Sequence, residues 1–229
     1  MIGIQEYIKK KQYLVSELKN SQSNSISINK ETSNLFRSRD NSGHKIDVKN
    51  FNNVISIDYH NLIAEVEGMC TYETLVDECL KFNLMPAVVP ELKTITIGGA
   101  ATGVGIESSS FKFGFVHETI LDMEILLSDG SVVLCDDKNN KDLFFGFPNS
   151  YGTFGYVLKL KVKLVPVKKF VRLNHLRYSD SKKFFSDMNK FCLQYRDNNL
   201  VDFIDGVVFN KDEMYISLAS FVDEASSVS

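Results

Sequence analysis

The order of apolar and polar residues divides the chain into segments of different period. Near the start, Ile4, Tyr7, Ile8, Leu14 and Leu18 fall on one loose helical stripe among Glu and Lys. Such a stripe suits a short helix packed on a core better than one lying on a membrane surface. The polar stretch SQSNSISINK that follows has little to bury and reads as a linker or arm. Two Val- and Ile-rich runs, 54–59 and 62–67, flank Tyr59-His60-Asn61 and predict two strands joined by a tight turn. Gly68 closes the second run. Thr71 then supplies an N-cap oxygen, and Tyr72, Leu75, Val76, Cys79 and Leu80 recur at helical spacing until Pro86.

Farther along, apolar runs at 120–127 and 131–135 flank Asp129-Gly130, the strongest short signal for an antiparallel hairpin. Residues 156–164 alternate, with Tyr156, Leu158, Leu160, Val162 and Leu164 on the core face and Val157, Lys159, Lys161 and Lys163 on a mostly solvated one. After Pro166 come a predicted strand at 170–176 and a helix at 181–195. That helix carries Phe184, Phe185, Met188, Phe191, Cys192 and Tyr195 on one face, an aromatic stripe of the kind that packs in a core. A hairpin at 201–209 and 214–222 completes the pattern. One strand, one helix and one hairpin make an incomplete sheet, so this second unit is expected to be cut short. The predicted division is an arm at 1–30, a main domain at 31–167 and a partial domain at 168–229.

Composition narrows the class. With 229 residues and 44% hydrophobic content the chain can bury one good core or two modest ones. A net charge of −3, with Lys and Arg spread along the sequence, lacks the basic footprint of a nucleic-acid binder. The N-terminus has neither a signal-peptide core nor an apolar span of membrane length, so a cytoplasmic protein without an integral membrane segment is expected. Four cysteines show no CxxC spacing and four histidines no HExxH, so no metal site is predicted and the cysteines read as small buried apolar residues.

The segment 94–114, TITIGGAATGVGIESSSFKFG, follows neither a helical nor a strand period. Its glycines let backbone N–H groups converge on an anion such as a pyrophosphate, and its Thr and Ser hydroxyls add polar contacts. A purely structural glycine loop has the same composition. Gly103-Val104-Gly105-Ile106-Glu107-Ser108 nearly spells the Rossmann fingerprint, with Glu124 downstream. A Rossmann loop must open a helix, however, and residues 108–114 make a poor helix start. The residues alone therefore favour a non-Rossmann dinucleotide loop.

A resemblance sharpens this. Val89-Pro90-Glu91-Leu92, residues 96–110, Asp129-Gly130, Asp142-Leu143-Phe144 and Tyr151-Gly152-Thr153-Phe154-Gly155 resemble, in order and spacing, the FAD-binding domain of the delta-24 sterol reductases. Those are flavoproteins of the p-cresol methylhydroxylase (PCMH), or vanillyl-alcohol oxidase, type. The likeness runs over roughly residues 45–224, because 168–171 and 202–224 resemble the start of that family's cap domain. GIESSS after TIGG is far more specific than a lone glycine motif.

The resemblance implies an α+β fold: a PCMH-type FAD-binding domain with an antiparallel sheet and flanking helices, followed by the start of an α+β cap domain. It assigns the FAD loop to Thr96, Ile97, Gly98, Gly99, Ala100, Ala101, Thr102, Gly103, Val104, Gly105, Ile106, Glu107 and Ser108, with Gly152, Gly155 and Val157 approaching the cofactor again. It implies an FAD-dependent oxidoreductase that moves a hydride between FAD and a C–C unit of an apolar, sterol-like or lipid-like small molecule, with NAD(P)H or another electron partner. A truncated FAD-binding protein without turnover is the alternative. No catalytic residue is assigned; His117 is only a neighbour of the loop.

The chain departs from the family where its N-terminal glycine-rich loop is expected, since it carries Thr32-Ser33-Asn34-Leu35-Phe36-Arg37-Ser38-Arg39 there. Either Arg37 or Arg39, with the Thr32 and Ser33 hydroxyls, takes over the phosphate contacts, or the segment is a solvated basic turn. The histidine that tethers the flavin in some relatives belongs to that loop, so FAD is expected to be held non-covalently.

Overall fold

A computed structural model describes residues 1–20, 26–29 and 44–228. The elements in chain order are α1 (Ile4–Asn20), β1 (Ile26–Asn29), β2 (His44–Asp47), β3 (Val54–Asp58), β4 (Ile63–Glu67), α2 (Tyr72–Leu80) and β5 (Leu84–Pro86). Then come α3 (Ile97–Thr102), α4 (Ser110–Phe113), a 3-10 turn (Val116–Thr119), β6 (Ile120–Leu126), β7 (Val132–Asp136), α5 (Lys141–Gly146) and β8 (Tyr156–Pro166). The chain finishes with β9 (Phe170–Tyr178), α6 (Ser181–Tyr195), β10 (Phe203–Asn210) and β11 (Glu213–Val222).

The larger sheet is antiparallel, in the order β3-β4-β8-β6-β7, with β5 paired to the far end of β8. Its centre is β8, whose apolar alternation puts Leu160, Val162 and Leu164 into the main core with Tyr72, Leu75 and Cys79 of α2 and Ile97, Ala100 and Ala101 of α3. Thr71 caps α2 as its sequence position predicts, its hydroxyl accepting from the Thr74 N–H at 3.2 Å. The hairpin of β6 and β7 turns at Asp129-Gly130 with Gly130 at φ +81°, a left-handed position that glycine takes without a Cβ penalty.

The other face of this sheet is covered as well, and here the lysine row of β8 departs from expectation. Bulges opposite Glu124-Ile125 and at Ile55 leave Leu158 and Ile55 without a partner in the ladder. An extra residue in a strand turns two successive side chains to one face, and both Leu158 and Ile55 join Tyr7, Leu14 and Leu18 of α1 in a second core cluster. Lys159 is thereby buried rather than solvated, at 7% exposure. It is compensated by Glu65 and Glu124, each at 3.2 Å, while Tyr7 and Lys11 of α1 reach Glu124 at 2.9 and 2.5 Å. Burial, then the Glu124 carboxylate, holds the Tyr7 phenol protonated. Residues 4–20 are thus packed on the sheet, and the predicted core-packing helix is what forms there.

Strands β1 and β2 form a parallel pair of their own, and a three-stranded antiparallel sheet is ordered β10-β11-β9. Helix α6 has the bounds its pattern predicts, and Asp180 caps it by accepting from the Lys182 and Lys183 N–H groups at 2.8 and 3.2 Å. Phe184 is buried beneath it with Ile204, Met214 and Ile216, whereas Phe185 of the predicted stripe is 63% exposed. This sheet is joined to the large one by Phe111 of α4, which packs into this cluster, and by the Ile204 N–H, which donates to the Ser108 carbonyl at 2.8 Å. Among the described residues, no helix is long and apolar enough to cross a membrane.

Candidate cofactor site

The glycine segment contains two helical pieces where the sequence predicts none. Helix α3 forms although Gly98 and Gly99 have poor helix propensity, because tertiary contacts fix its first turn. Thr96 caps it by accepting from the Gly99 N–H at 3.2 Å. The Ile97 and Gly98 N–H groups donate to the carbonyls of Cys70 and Gly68, both at 2.9 Å. A Cβ at Gly98 would lie 2.6 Å from the Gly68 oxygen, so only glycine lets the two backbones approach this closely. The second piece, α4, is a single turn at 110–113. Neither helix opens a strand-helix-strand crossover: α3 sits between β5 and β6, both antiparallel to β8, which upholds the rejection of the Rossmann reading.

A second glycine turn meets the first. The Tyr151 N–H donates to the Thr102 carbonyl at 3.2 Å, which draws the 147–155 loop against the end of α3. Gly155 takes φ +146°, and a Cβ there would lie 2.4 Å from the Leu126 oxygen. Between these turns lies a pocket of about 540 Å³. Six of the predicted residues line it, Gly98, Gly99, Thr102, Gly152, Gly155 and Val157, and they come from two segments about fifty residues apart. Val48, Phe51, Met69, Tyr151, Tyr156 and Leu158 complete the wall.

The remaining predicted residues are distributed elsewhere. Ile97, Ala100 and Ala101 are in the core, and Thr96 is the buried cap. Gly103, Val104 and Gly105 form the connection beyond α3, with Val104 half exposed. Ile106, Glu107 and Ser108 line a separate cleft of about 1180 Å³ with Val89, Pro90, Glu91, Leu92 and Ile95 on one side and Ile204, Asp205 and Gly206 of β10 on the other. Burial, then the neighbouring Glu91 and Asp205 carboxylates, raises the Glu107 pKa above the ordinary glutamate value. Tyr72 ends near this cluster with its hydroxyl buried and without a hydrogen-bond partner among the described residues.

His117 stacks on Phe115 at 5.7 Å and lines neither opening. Thr32, Ser33, Arg37 and Arg39 lie outside the described residues. Cys70, Cys79 and Cys135 are buried, and burial pushes their thiols up to about 12, 12 and 11, which keeps them protonated and inert. Among the described residues no group of His, Cys, Asp or Glu is arranged to hold a metal.

The lining suits part of a dinucleotide. Four glycines expose backbone along its wall, and apolar side chains supply a surface for a flat ring. Comparison with known proteins gives the ligand its name. Residues 15–136 match the family model described as FAD binding domain. The chain belongs to that family, and its cofactor is FAD.

Among curated proteins, the chain is 33% identical to Delta(24)-sterol reductase of Pisum sativum over 173 residues, covering 72% of this chain and 30% of that protein. It is 32% identical to Delta(24)-sterol reductase of Homo sapiens over 184 residues, covering 80% of this chain and 34% of that one. Cytokinin dehydrogenase 1 of Arabidopsis thaliana shares 27% over 152 residues, with 66% and 26% covered. Among solved structures, 6-hydroxy-D-nicotine oxidase from Arthrobacter nicotinovorans superposes with a TM-score of 0.62 at 20% identity, over 97% of this chain and 49% of that one. The fold is that of a PCMH-type flavoprotein, α+β with an antiparallel sheet and flanking helices. The chain spans about a third of the length of the curated sterol reductases it matches.

Val48, Phe51, Met69 and Leu158 are pocket residues that the sequence reading misses. They are ordinary apolar positions in no motif, and at Leu158 the bulge changes the face that alternation assigns. Gly68 carried a usable signal: a glycine directly after a strand marks a close backbone approach, and a Cβ there would lie 2.0 Å from the Val157 oxygen.

Proposed function

We propose that this chain is the flavin-binding part of an FAD-dependent oxidoreductase, with the pocket between α3 and the 147–155 loop as the cofactor site. The observation that carries the reading is the convergence of Gly98, Gly99 and Thr102 with Gly152, Gly155 and Val157 on one cavity. FAD, when bound, supplies the two-electron chemistry. The chain supplies position. Backbone at the four glycines receives the dinucleotide, while Phe51, Met69, Val157 and Leu158 shield it from water.

The cleft at Glu107 is the proposed substrate site, because Val89, Pro90, Leu92, Ile95 and Ile106 give it an apolar wall suited to a lipid-like molecule. Glu107 is the group there best able to hold a proton at its carboxyl oxygens, its ionised form being disfavoured by burial and by two like charges. In this reading bound FAD would supply hydride transfer to or from a C–C unit of the substrate, and a nicotinamide or other electron partner would exchange the same two electrons with the flavin. FAD is held without a covalent bond.

The test is anaerobic addition of NADPH and NADH to the FAD-loaded protein. Bleaching of the flavin absorbance is expected. A yellow protein that no nicotinamide bleaches, and that dithionite alone reduces, supports instead an FAD-binding protein without turnover.

A further inference from the structure

The cofactor pocket has no cationic side chain in its wall among the described residues, although the ligand read for it is a dianion. The charge behind the wall is therefore of interest. Phe51 lines the pocket, and the Lys10 ammonium of α1 stands 5.4 Å from the centroid of its ring. Lys10 donates to the Asn50 carbonyl at 2.7 Å and pairs with the carboxylate of Glu67, which is wholly buried. The other Glu67 oxygen accepts from the N–H and side-chain amide of Asn53 at 2.9 and 3.0 Å. Glu67 immediately precedes Gly68, whose carbonyl holds Gly98 in the pocket wall. A buried negative charge thus lies next to the wall of the pocket read as the FAD site, and its counter-charge stands behind the Phe51 ring, on a helix of which residues 4–14 precede the segment matched by the family model.

Charges at such range, shielded by protein rather than water, change ligand affinity without touching the ligand. Uncompensated, Glu67 repels a diphosphate; paired with Lys10, it does not. We propose that Lys10 is an electrostatic positioning residue, supplied by the N-terminal helix, that sets the pocket's affinity for the FAD diphosphate by neutralising Glu67. The proposal rests on the reading of this pocket as the FAD site.

The signs of three variants separate this from a purely structural tie. FAD is titrated into apo protein and followed by flavin fluorescence, with apo thermal stability measured alongside. Lys10→Met is expected to weaken FAD binding on the order of tenfold and Glu67→Gln to tighten it, while the double variant returns to within about threefold of the parent. A structural tie instead makes both single variants bind more weakly, in step with lost stability, and that result overturns the proposal. Should Lys10→Met fail to fold, Glu67→Gln alone decides: tighter binding supports the proposal and weaker binding overturns it. Parent protein that binds FAD while all three variants match it overturns this proposal alone. Parent protein that does not bind FAD overturns the cofactor reading on which it rests.

Discussion

Replacing Gly98 and Gly99 one at a time by alanine separates packing from ligand approach, because the two glycines are adjacent in α3 but face different things. At Gly98 a Cβ would sit 2.6 Å from the Gly68 oxygen and 3.2 Å from two further backbone atoms of Gly68. Ordinary carbon contacts lie at about 3.5 Å, so the backbones must separate and the 2.9 Å Gly98-to-Gly68 hydrogen bond must stretch. Overpacking of this kind costs about 1–3 kcal/mol, and the gain in helix propensity from Gly to Ala offsets about 1 kcal/mol. Because the clash is with backbone, the upper end of that range applies, and the net loss of about 2 kcal/mol lowers Tm by roughly 4–8 °C in a domain of this size.

At Gly99 the added Cβ meets only the Thr96 hydroxyl, at 2.9 Å, and that side chain can rotate. The weakened cap and the improved propensity, each about 1 kcal/mol, nearly cancel. Gly99 lines the pocket, however, and a methyl group there keeps the dinucleotide off the backbone. Its expected effect is a loss in FAD affinity on the order of tenfold, about 1.4 kcal/mol, with stability close to the parent's. Differential scanning calorimetry of the apo proteins and FAD titration give the two readouts. A Gly98→Ala protein as stable as the parent, or a Gly99→Ala protein that loses as much stability as Gly98→Ala, refutes the geometry from which these values come.

Lys159→Met removes one partner from Glu65, which keeps Lys161 at 3.7 Å, and one from Glu124, which keeps Lys11 and Tyr7, and is expected to lower stability by about 2 kcal/mol in urea unfolding; a loss below about 1 kcal/mol would show that this network is solvated after all. Glu107 has a folded pKa above its unfolded value, so the stability it contributes is present at low pH and lost as pH rises through the folded value. Glu107→Gln is therefore expected to melt above the parent near pH 8 and with it near pH 4, and the opposite order counts against the crowded-carboxylate cleft. Precipitating the FAD-loaded protein with trichloroacetic acid should leave the yellow colour in the supernatant; colour in the pellet reveals a covalent link.

Elements whose signal is local were legible from the residues alone. The period of α6, the Asp-Gly turn before β7 and the Thr71 cap all rest on side chains that act within a few positions of themselves. Helix α3 was not legible, because its glycines argue against a helix and what stabilises it is the backbone of residues 68–70, far away in sequence. Lys159 illustrates the same limit from the other side. Alternation says which residues share a face of β8, but whether that face meets water depends on α1, contributed by the other end of the chain. The candidate site divides in the same way: its glycines announce themselves, whereas Phe51 belongs to no motif and Leu158 changes face only through a bulge.

The most direct test of the account is an equilibrium titration of FAD into the purified chain by isothermal calorimetry, with Gly155→Val as the control. Gly155 combines a φ of +146° with a Cβ position 2.4 Å from the Leu126 oxygen, so a branched side chain must displace the loop that supplies Tyr151, Gly152 and Gly155 to the pocket wall. Saturable binding of one FAD per chain, abolished or strongly weakened in a Gly155→Val protein that still unfolds cooperatively, is the predicted result. Absence of saturable binding to the parent, or equal binding to both proteins, contradicts the placement of FAD between α3 and the 147–155 loop.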